Sequence, residues 1–395
     1  MKYLLTVLVS TAIFFSACSS NDEVPKEPQI STVENSVILL MAGNNDLSNT
    51  VSEDLDELHK GIQNMNADSR IIAIAVTSTQ KYVEVIENGK VEKKAFTDFS
   101  ESFSTANAEH ITNVIRAIES KYPSRNWNLV LWGHANGWLI KNDSIANNLF
   151  VNAPRRAYGQ SVDNSKRIYI NIPSLARALK STGIHFGNIF ADCCNFMCVE
   201  SIYELRDVAD YILGSPAEIP EEGANYSDIA SLLPMKGCDS LKRIAEKYCA
   251  YYDARYTGIN GVPLTIVKLS EMDKLAEATR PVMEQISKKE ELNMTGLIHY
   301  YSSNLMYDMN DVIMHNVDSA VYAQWYKSFE QAVVFRHAVK KWTTGWQLPV
   351  IFDFEVTDAR YGGLSMFFPM NVSDYVQNGY NDNVYKFQWP YVIGM

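Results

Sequence analysis

Five short, almost wholly apolar runs, each separated from the next by helical patterns, constrain this chain more than any other feature. The first lies in S-V-I-L-L-M-A-G-N-N-D-L-S from Ser36; the others are 71–76, 129–132, 189–191 and 211–214. Runs this short, with no polar alternation, belong to strands buried on both faces, as in a parallel sheet. Helical patterns fill the gaps at 46–60, 106–121, 172–181 (entered through Pro173) and about 196–206. In the second, Ile111, Val114, Ile115 and Ile118 fall on one face. Segments 82–86 and 91–96 flank Glu87-Asn88-Gly89-Lys90, a hairpin signal. Strand and helix alternating from 36 to 214 predict an α/β fold, a mostly parallel central sheet flanked by helices. Beyond 233 the pattern changes, with helices at 239–252, 272–288 and 319–339 and strands at 264–269 and 364–368. This part, 234–395, reads as an α+β C-terminal subdomain with no chemistry of its own.

Two of the apolar runs stop at reactive groups. Run 129–132 leads into Gly133-His134 within L-V-L-W-G-H-A-N-G-W, and run 189–191 into Asp192-Cys193-Cys194. An open α/β sheet carries its chemistry at the carboxyl ends of its strands. A thiol at one exit and an imidazole at another form the nucleophile and base of a cysteine–histidine dyad. Neighbouring side chains at a strand end point to opposite sides, so only one of Cys193 and Cys194 can face His134. A zinc site built from His134, Cys193, Cys194 and Cys198 competes with this reading. Adjacent cysteines with a third four residues on do not match the usual paired ligand spacing, and no metal is expected. The remaining histidines carry no motif; His185 falls in a turn before the cysteine strand.

The N-terminus bounds the compartment. Residues 1–17 combine Lys2, an apolar core and small residues in the outline of a secretory signal. The stretch F-S-A-C ends at Cys18 and resembles a bacterial lipoprotein signal, with Cys18 as the lipidated first residue; the other reading is a plain signal with an incidental cysteine. The apolar core is too short to span a bilayer permanently. S-S-N-D-E behind Cys18 resembles the acidic signal that sends some Bacteroidetes lipoproteins to the outer face, and 18–35 reads as a tether. The expected location is the outer membrane, as a lipoprotein at the surface, or the secreted fraction, with membrane contact only through the lipid. Lipidation of Cys18 would leave five cysteines, Cys193, Cys194, Cys198, Cys238 and Cys249. Five cannot all pair, so at least one free thiol persists in an oxidising compartment. Catalysis or burial accounts for it. A net charge of -11 argues against a nucleic-acid partner.

The motifs together, in their order, resemble the clostripain family of cysteine peptidases, relatives of caspases and gingipains. M-A-G-N-N-D-L-S at 41–48, L-W-G-H-A-N-G-W at 131–138 and D-C-C-N-F-M at 192–197 carry the resemblance. S-P-A-E-I-P-E-E-G-A-N-Y at 215–226 and G-G-L-S-M-F-F-P at 362–369 extend it toward the C-terminus. It implies a caspase-like catalytic domain over 36–233. Two departures stand out: Ala135 and Asn136 follow the histidine where the family has glycines, and the family's Asp-Ala-Cys is here Asp192-Cys193-Cys194. Alignment on Asp192 selects Cys194 as nucleophile, with His134 as its partner. The resemblance implies that Asp192 lines the pocket for the residue before the cut and prefers Arg over Lys; its alternative role is an N-terminal cap for the helix that follows. A helix beginning at Cys194 would lower the thiol pKa. The backbone N–H groups of Cys194 and Ala135 would form the oxyanion site.

Relatives cut themselves between the His and Cys units, which implies self-activation within the polar linker 139–167. Candidate bonds follow Arg156 (the first choice), Arg155, Lys141 and Lys166. Expected partners are proteins or peptides with basic residues. No cofactor is expected, calcium entering through family analogy alone. A non-catalytic surface lipoprotein that binds peptide or glycan on the same fold is the competing function, motivated by Ala135-Asn136.

Overall fold

A computed structural model describes residues 31–140, 158–163, 166–256, 260–301, 305–342, 351–370 and 373–395. The signal segment, Cys18 and the candidate bonds after Lys141, Arg155 and Arg156 lie outside the described residues. The chain first lays down β1 (Val33–Gly43), β2 (Ser69–Thr77), β3 (Lys81–Glu87), β4 (Lys90–Ala95) and β5 (Ser124–Gly133). A small hairpin follows, β6 (Ser161–Asp163) and β7 (Lys166–Ile168), then β8 (Phe186–Asp192) and β9 (Ala209–Gly214). The last part supplies β10 (Asn260–Gly261), β11 (Leu264–Lys268), β12 (Tyr307–Asp308), β13 (Val333–His337), β14 (Lys341–Trp342) and β15 (Ser365–Met366).

Nine of these form one sheet in the order β13-β11-β9-β8-β5-β1-β2-β3-β4. Its five central strands, β9 to β2, are parallel, and the strands added at either edge are antiparallel. The expected mostly parallel sheet flanked by helices is therefore the observed fold. Burial on both faces explains the unbroken apolar runs. On β1, Ile38, Leu40 and Ala42 join one core, while Val37, Leu39 and Met41 join the other. The first core is covered by α2 (Ala108–Lys121), α3 (Ile172–Ser181) and α4 (Val199–Glu204). Helices α1 (Ser48–Gly61), α5 (Tyr226–Ile229) and α6 (Cys238–Arg255) cover the second. Burying Leu175 and Leu179 of α3 stabilises the fold by about 2 kcal/mol each. At the hairpin between β3 and β4, Asn88 and Gly89 both take positive φ, 53° and 69°, which matches the strand twist.

Three differences from the sequence reading have physical causes. The predicted division at 233/234 is crossed by the sheet, because β11 and β13 extend it past β9. The helix expected over 319–339 ends at Ala332 (α9, Ser319–Ala332), since Val333, Phe335, Arg336 and His337 pair with β11 as β13. Helices α7 (Met272–Ile286) and α8 (Met309–Asn316) precede it. Linker 139–167 is not wholly irregular, as its end forms β6 and the start of β7.

Candidate active site

Strand register brings the two reactive exits together. In the parallel pair β5/β8, Leu131 faces Ala191 and Trp132 faces Asp192. His134 stands two residues past Trp132 and Cys194 two past Asp192, so both leave neighbouring strands at the same level. The loops beyond them pack on each other: a Cβ at Gly137 would fall 2.8 Å from the Asn195 carbonyl and 3.2 Å from Cys198 Sγ.

The turn at Cys194 separates the adjacent thiols. Cys193 is 1 % exposed, and its thiol donates to the Leu131 carbonyl at 3.4 Å. Burial pushes that thiol well above its ordinary pKa, with Asp192 adding to the effect. Cys194 is partly exposed, and its Sγ accepts from the Ile219 N–H at 3.4 Å. The chain turns next at Asn195, whose φ of 53° is left-handed, a conformation Asn tolerates. Backbone bonds Asn195 N–H to Ala217 O (2.8 Å) and Met197 N–H to Ser215 O (3.0 Å) tie this turn to the 215–226 segment. Cys198 is buried with its thiol on Ser201 Oγ at 3.0 Å, so the three neighbouring thiols point to different partners. No group of three or more His, Cys, Asp or Glu among the described residues is placed to hold a metal ion.

The helix expected at Cys194 begins only at Val199. Its positive end therefore lies away from the sulfur, and the Ile219 N–H is the nearby donor instead. The loop after His134 settles what Ala135 demands. Positive φ falls at Gly133 (135°) and Gly137 (55°), and Ala135 is not among the residues with positive φ. Glycines thus occupy the two places that need them, and Ala135 keeps its Cβ without strain.

Two residues depart from the roles read in the sequence. Asp192 caps no helix, since the helix that follows is entered at Cys198. It is 3 % exposed, and its carboxylate accepts from Tyr226 Oη and Tyr248 Oη at 3.0 Å each and from the Ala224 N–H at 3.1 Å. Burial raises it to about 6 against these donors. Beside it Asp54 of α1 accepts from Trp132 Nε1 at 2.6 Å and is pushed up to about 9 by burial and by the Asp192 charge. The second is Asp46, read as the start of a helix. Helix α1 begins at Ser48, and Asp46 Oδ1 instead lies 2.8 Å from His134 Nε2. The signal that could have located it is an acid at the exit of β1, the strand next to β5.

The C-terminal part also reaches the site. Ser365 bridges Cys198, its N–H donating to Met197 O at 3.0 Å, and Phe367 N–H donates to Glu200 Oε1 at 2.8 Å. Hence the G-G-L-S-M-F-F-P segment buttresses the loop that carries Cys194.

The profile of the clostripain family matches residues 39–392. Among curated proteins none matches. A secreted C11 cysteine protease from Bacteroides thetaiotaomicron, solved with an irreversible peptide inhibitor, has a TM-score of 0.75 at 23 % identity, over 91 % of this chain and 98 % of that one. A second structure of a secreted C11 cysteine protease from that organism, named iotapain, gives 0.74 at 20 % identity, over 92 % and 99 %. An inactive zymogen C11 protease from Parabacteroides distasonis gives 0.69 at 23 % identity, over 92 % and 99 %.

Proposed function

The chain belongs to the clostripain family of cysteine peptidases, and we propose that it is an endopeptidase cutting after basic residues through a Cys194–His134 dyad. The observation that carries this reading is the β5/β8 register, which brings the accessible thiol of the Asp-Cys-Cys turn and the imidazole to one level. The Cys194 thiolate attacks the scissile carbonyl, and the imidazolium of His134 gives its proton to the leaving amine; water then releases the acyl group. The backbone N–H groups of Cys194 and Ala135 receive the oxyanion. No cofactor enters these steps.

A basic side chain before the cut is drawn by the acids near the thiol. Glu218, Glu221 and Glu222 lie on the segment that covers the thiol. Asp192, the acid that ends β8, lines the pocket for that side chain. Preference for Arg over Lys follows from the family resemblance and from the planar guanidinium's fit to paired carboxylate oxygens. The precursor cuts itself in the 139–167 linker, after Arg156, Arg155 or Lys141. Cys18 carries a lipid that holds the protein at the outer membrane; no described helix is long and apolar enough to cross a membrane, and the structural neighbours from B. thetaiotaomicron are described as secreted.

The test is cleavage of Arg-ended and Lys-ended fluorogenic peptides after trypsin nicking of the linker, with Cys194→Ala and His134→Ala alongside and one arm in EGTA. Wild type should cleave both peptides, Arg faster, with neither variant active and no effect of chelation. Equal silence of wild type and Cys194→Ala would leave a peptide- or glycan-binding lipoprotein.

A further inference from the structure

Beyond the dyad, we infer that Asp46 is the positioning residue for His134, the third member of the site; this rests on the Cys194–His134 reading. Its Oδ1 lies 2.8 Å from His134 Nε2, and the imidazole is only 13 % exposed while the carboxylate is 56 % exposed. An acid that open to water could swing elsewhere unless its backbone were fixed. Here the neighbours on both sides are pinned. Asn45 is buried; its Nδ2 donates to Ala42 O and Gln160 O, each at 2.9 Å, and its Oδ1 accepts from the Leu47 N–H at 2.8 Å. Asn44 donates from Nδ2 to Ser161 Oγ (2.8 Å) and Val162 O (3.0 Å), and its carbonyl accepts from the Val162 N–H at 2.9 Å. Leu47 is buried at the entrance to α1. Asp46 therefore reaches the imidazole from a clamped loop.

The hydrogen bond a ring nitrogen makes decides what the other nitrogen can do. With Nε2–H donating to Asp46, Nδ1 is the nitrogen left to serve Cys194. The carboxylate also favours the imidazolium form, and the imidazolium in turn favours the thiolate. In the acylation step the S–C bond forms from the thiolate, the Nδ1 proton passes to the amine nitrogen and the C–N bond breaks. Asp46 keeps its negative charge throughout and takes no proton. The clamp comes from β6 and the residue before it, so the far end of the linker fixes the group that aims the histidine.

Two readouts on the full chain test this: kcat and KM on an Arg-ended peptide, and the rate of Cys194 alkylation by iodoacetamide, followed by mass of the Cys194 peptide. Asp46→Ala should lower kcat about 30-fold with KM held within about twofold, as expected for a base that has lost its orientation. It should also slow Cys194 alkylation about tenfold, toward the rate of His134→Ala. Asp46→Asn keeps an acceptor for Nε2–H without the charge and should fall between alanine and wild type. It also serves as the deciding variant if alanine lowers the melting temperature. Wild-type kcat and alkylation rate in both folded variants, or a loss confined to KM, would overturn the inference. A wild type that cleaves nothing, yet whose alkylation still depends on Asp46, would instead overturn the peptidase reading and leave the positioning role standing.

Discussion

Cys193 and Cys194 are chemically identical and adjacent, yet their hydrogen-bond partners divide their fates. The first donates inward to Leu131 O and the second accepts from Ile219 N–H. Cys193→Ala should keep kcat/KM within about threefold, while Cys194→Ala should lose about a thousandfold or more, measured on one basic fluorogenic peptide. The buried acids give a second expectation. Burial holds Asp54 up to about 9 and Asp192 to about 6. Above about pH 4 the native state therefore binds these protons more tightly than the unfolded chain does. Stability from them is full at low pH and is lost as pH rises through those values. Asp54→Asn keeps an acceptor for Trp132 and removes the larger penalty. Thermal melts from pH 5 to 8 should show the variant gaining on wild type as pH increases; a constant gap would refute the burial argument. The two neighbouring exits that carry His134 and Cys194 were legible because each closes an apolar run. Asp46 was not, because its meeting with His134 depends on β1 lying beside β5. Nor was the sealing of Asp192, whose partners Tyr226 and Tyr248 lie 34 and 56 positions away.

The elements that carry His134 and Cys194 are two turns with left-handed or glycine-only backbone, one after β5 and one after β8. At Gly133 a Cβ would fall 3.1 Å from the Ala42 carbonyl, and φ is 135°. Gly133→Ala should cost about 1–3 kcal/mol of stability and lower kcat/KM in the same protein, by denaturant melts and peptide assay. Asn195→Gly, which relaxes rather than strains its turn, should leave both near wild type. Strand and helix types were readable where period and length agreed: α3 spans the predicted 172–181, and the β3–β4 turn follows from Asn-Gly. Boundaries failed where a short apolar run fits either period. Val333–His337 is a strand because an open edge at β11 was there to receive it. The helix after the cysteines starts late because the Cys194 turn is held to 215–217 by backbone bonds that local sequence does not reveal.

At the scale of the molecule, the sheet does not stop where the sequence pattern changes. A fragment ending at residue 233 would expose the β9 edge and strip the cover that Leu364, Met366 and Phe367 give the α4 side of the core. Such a fragment should be insoluble or lack near-UV circular dichroism, whereas an independent catalytic unit would show a cooperative melt. The strand order also has a seam. Everything before the linker supplies β5-β1-β2-β3-β4, and everything after it supplies β13-β11-β9-β8. The imidazole belongs to one half-sheet and the sulfur to the other, meeting only where β5 lies against β8. A nick between them would therefore yield two polypeptides locked edge to edge, neither competent by itself. Hydrolysis by separately produced halves would become a bimolecular event, its onset accelerating with the product of their concentrations, like a reporter split down its own hinge line.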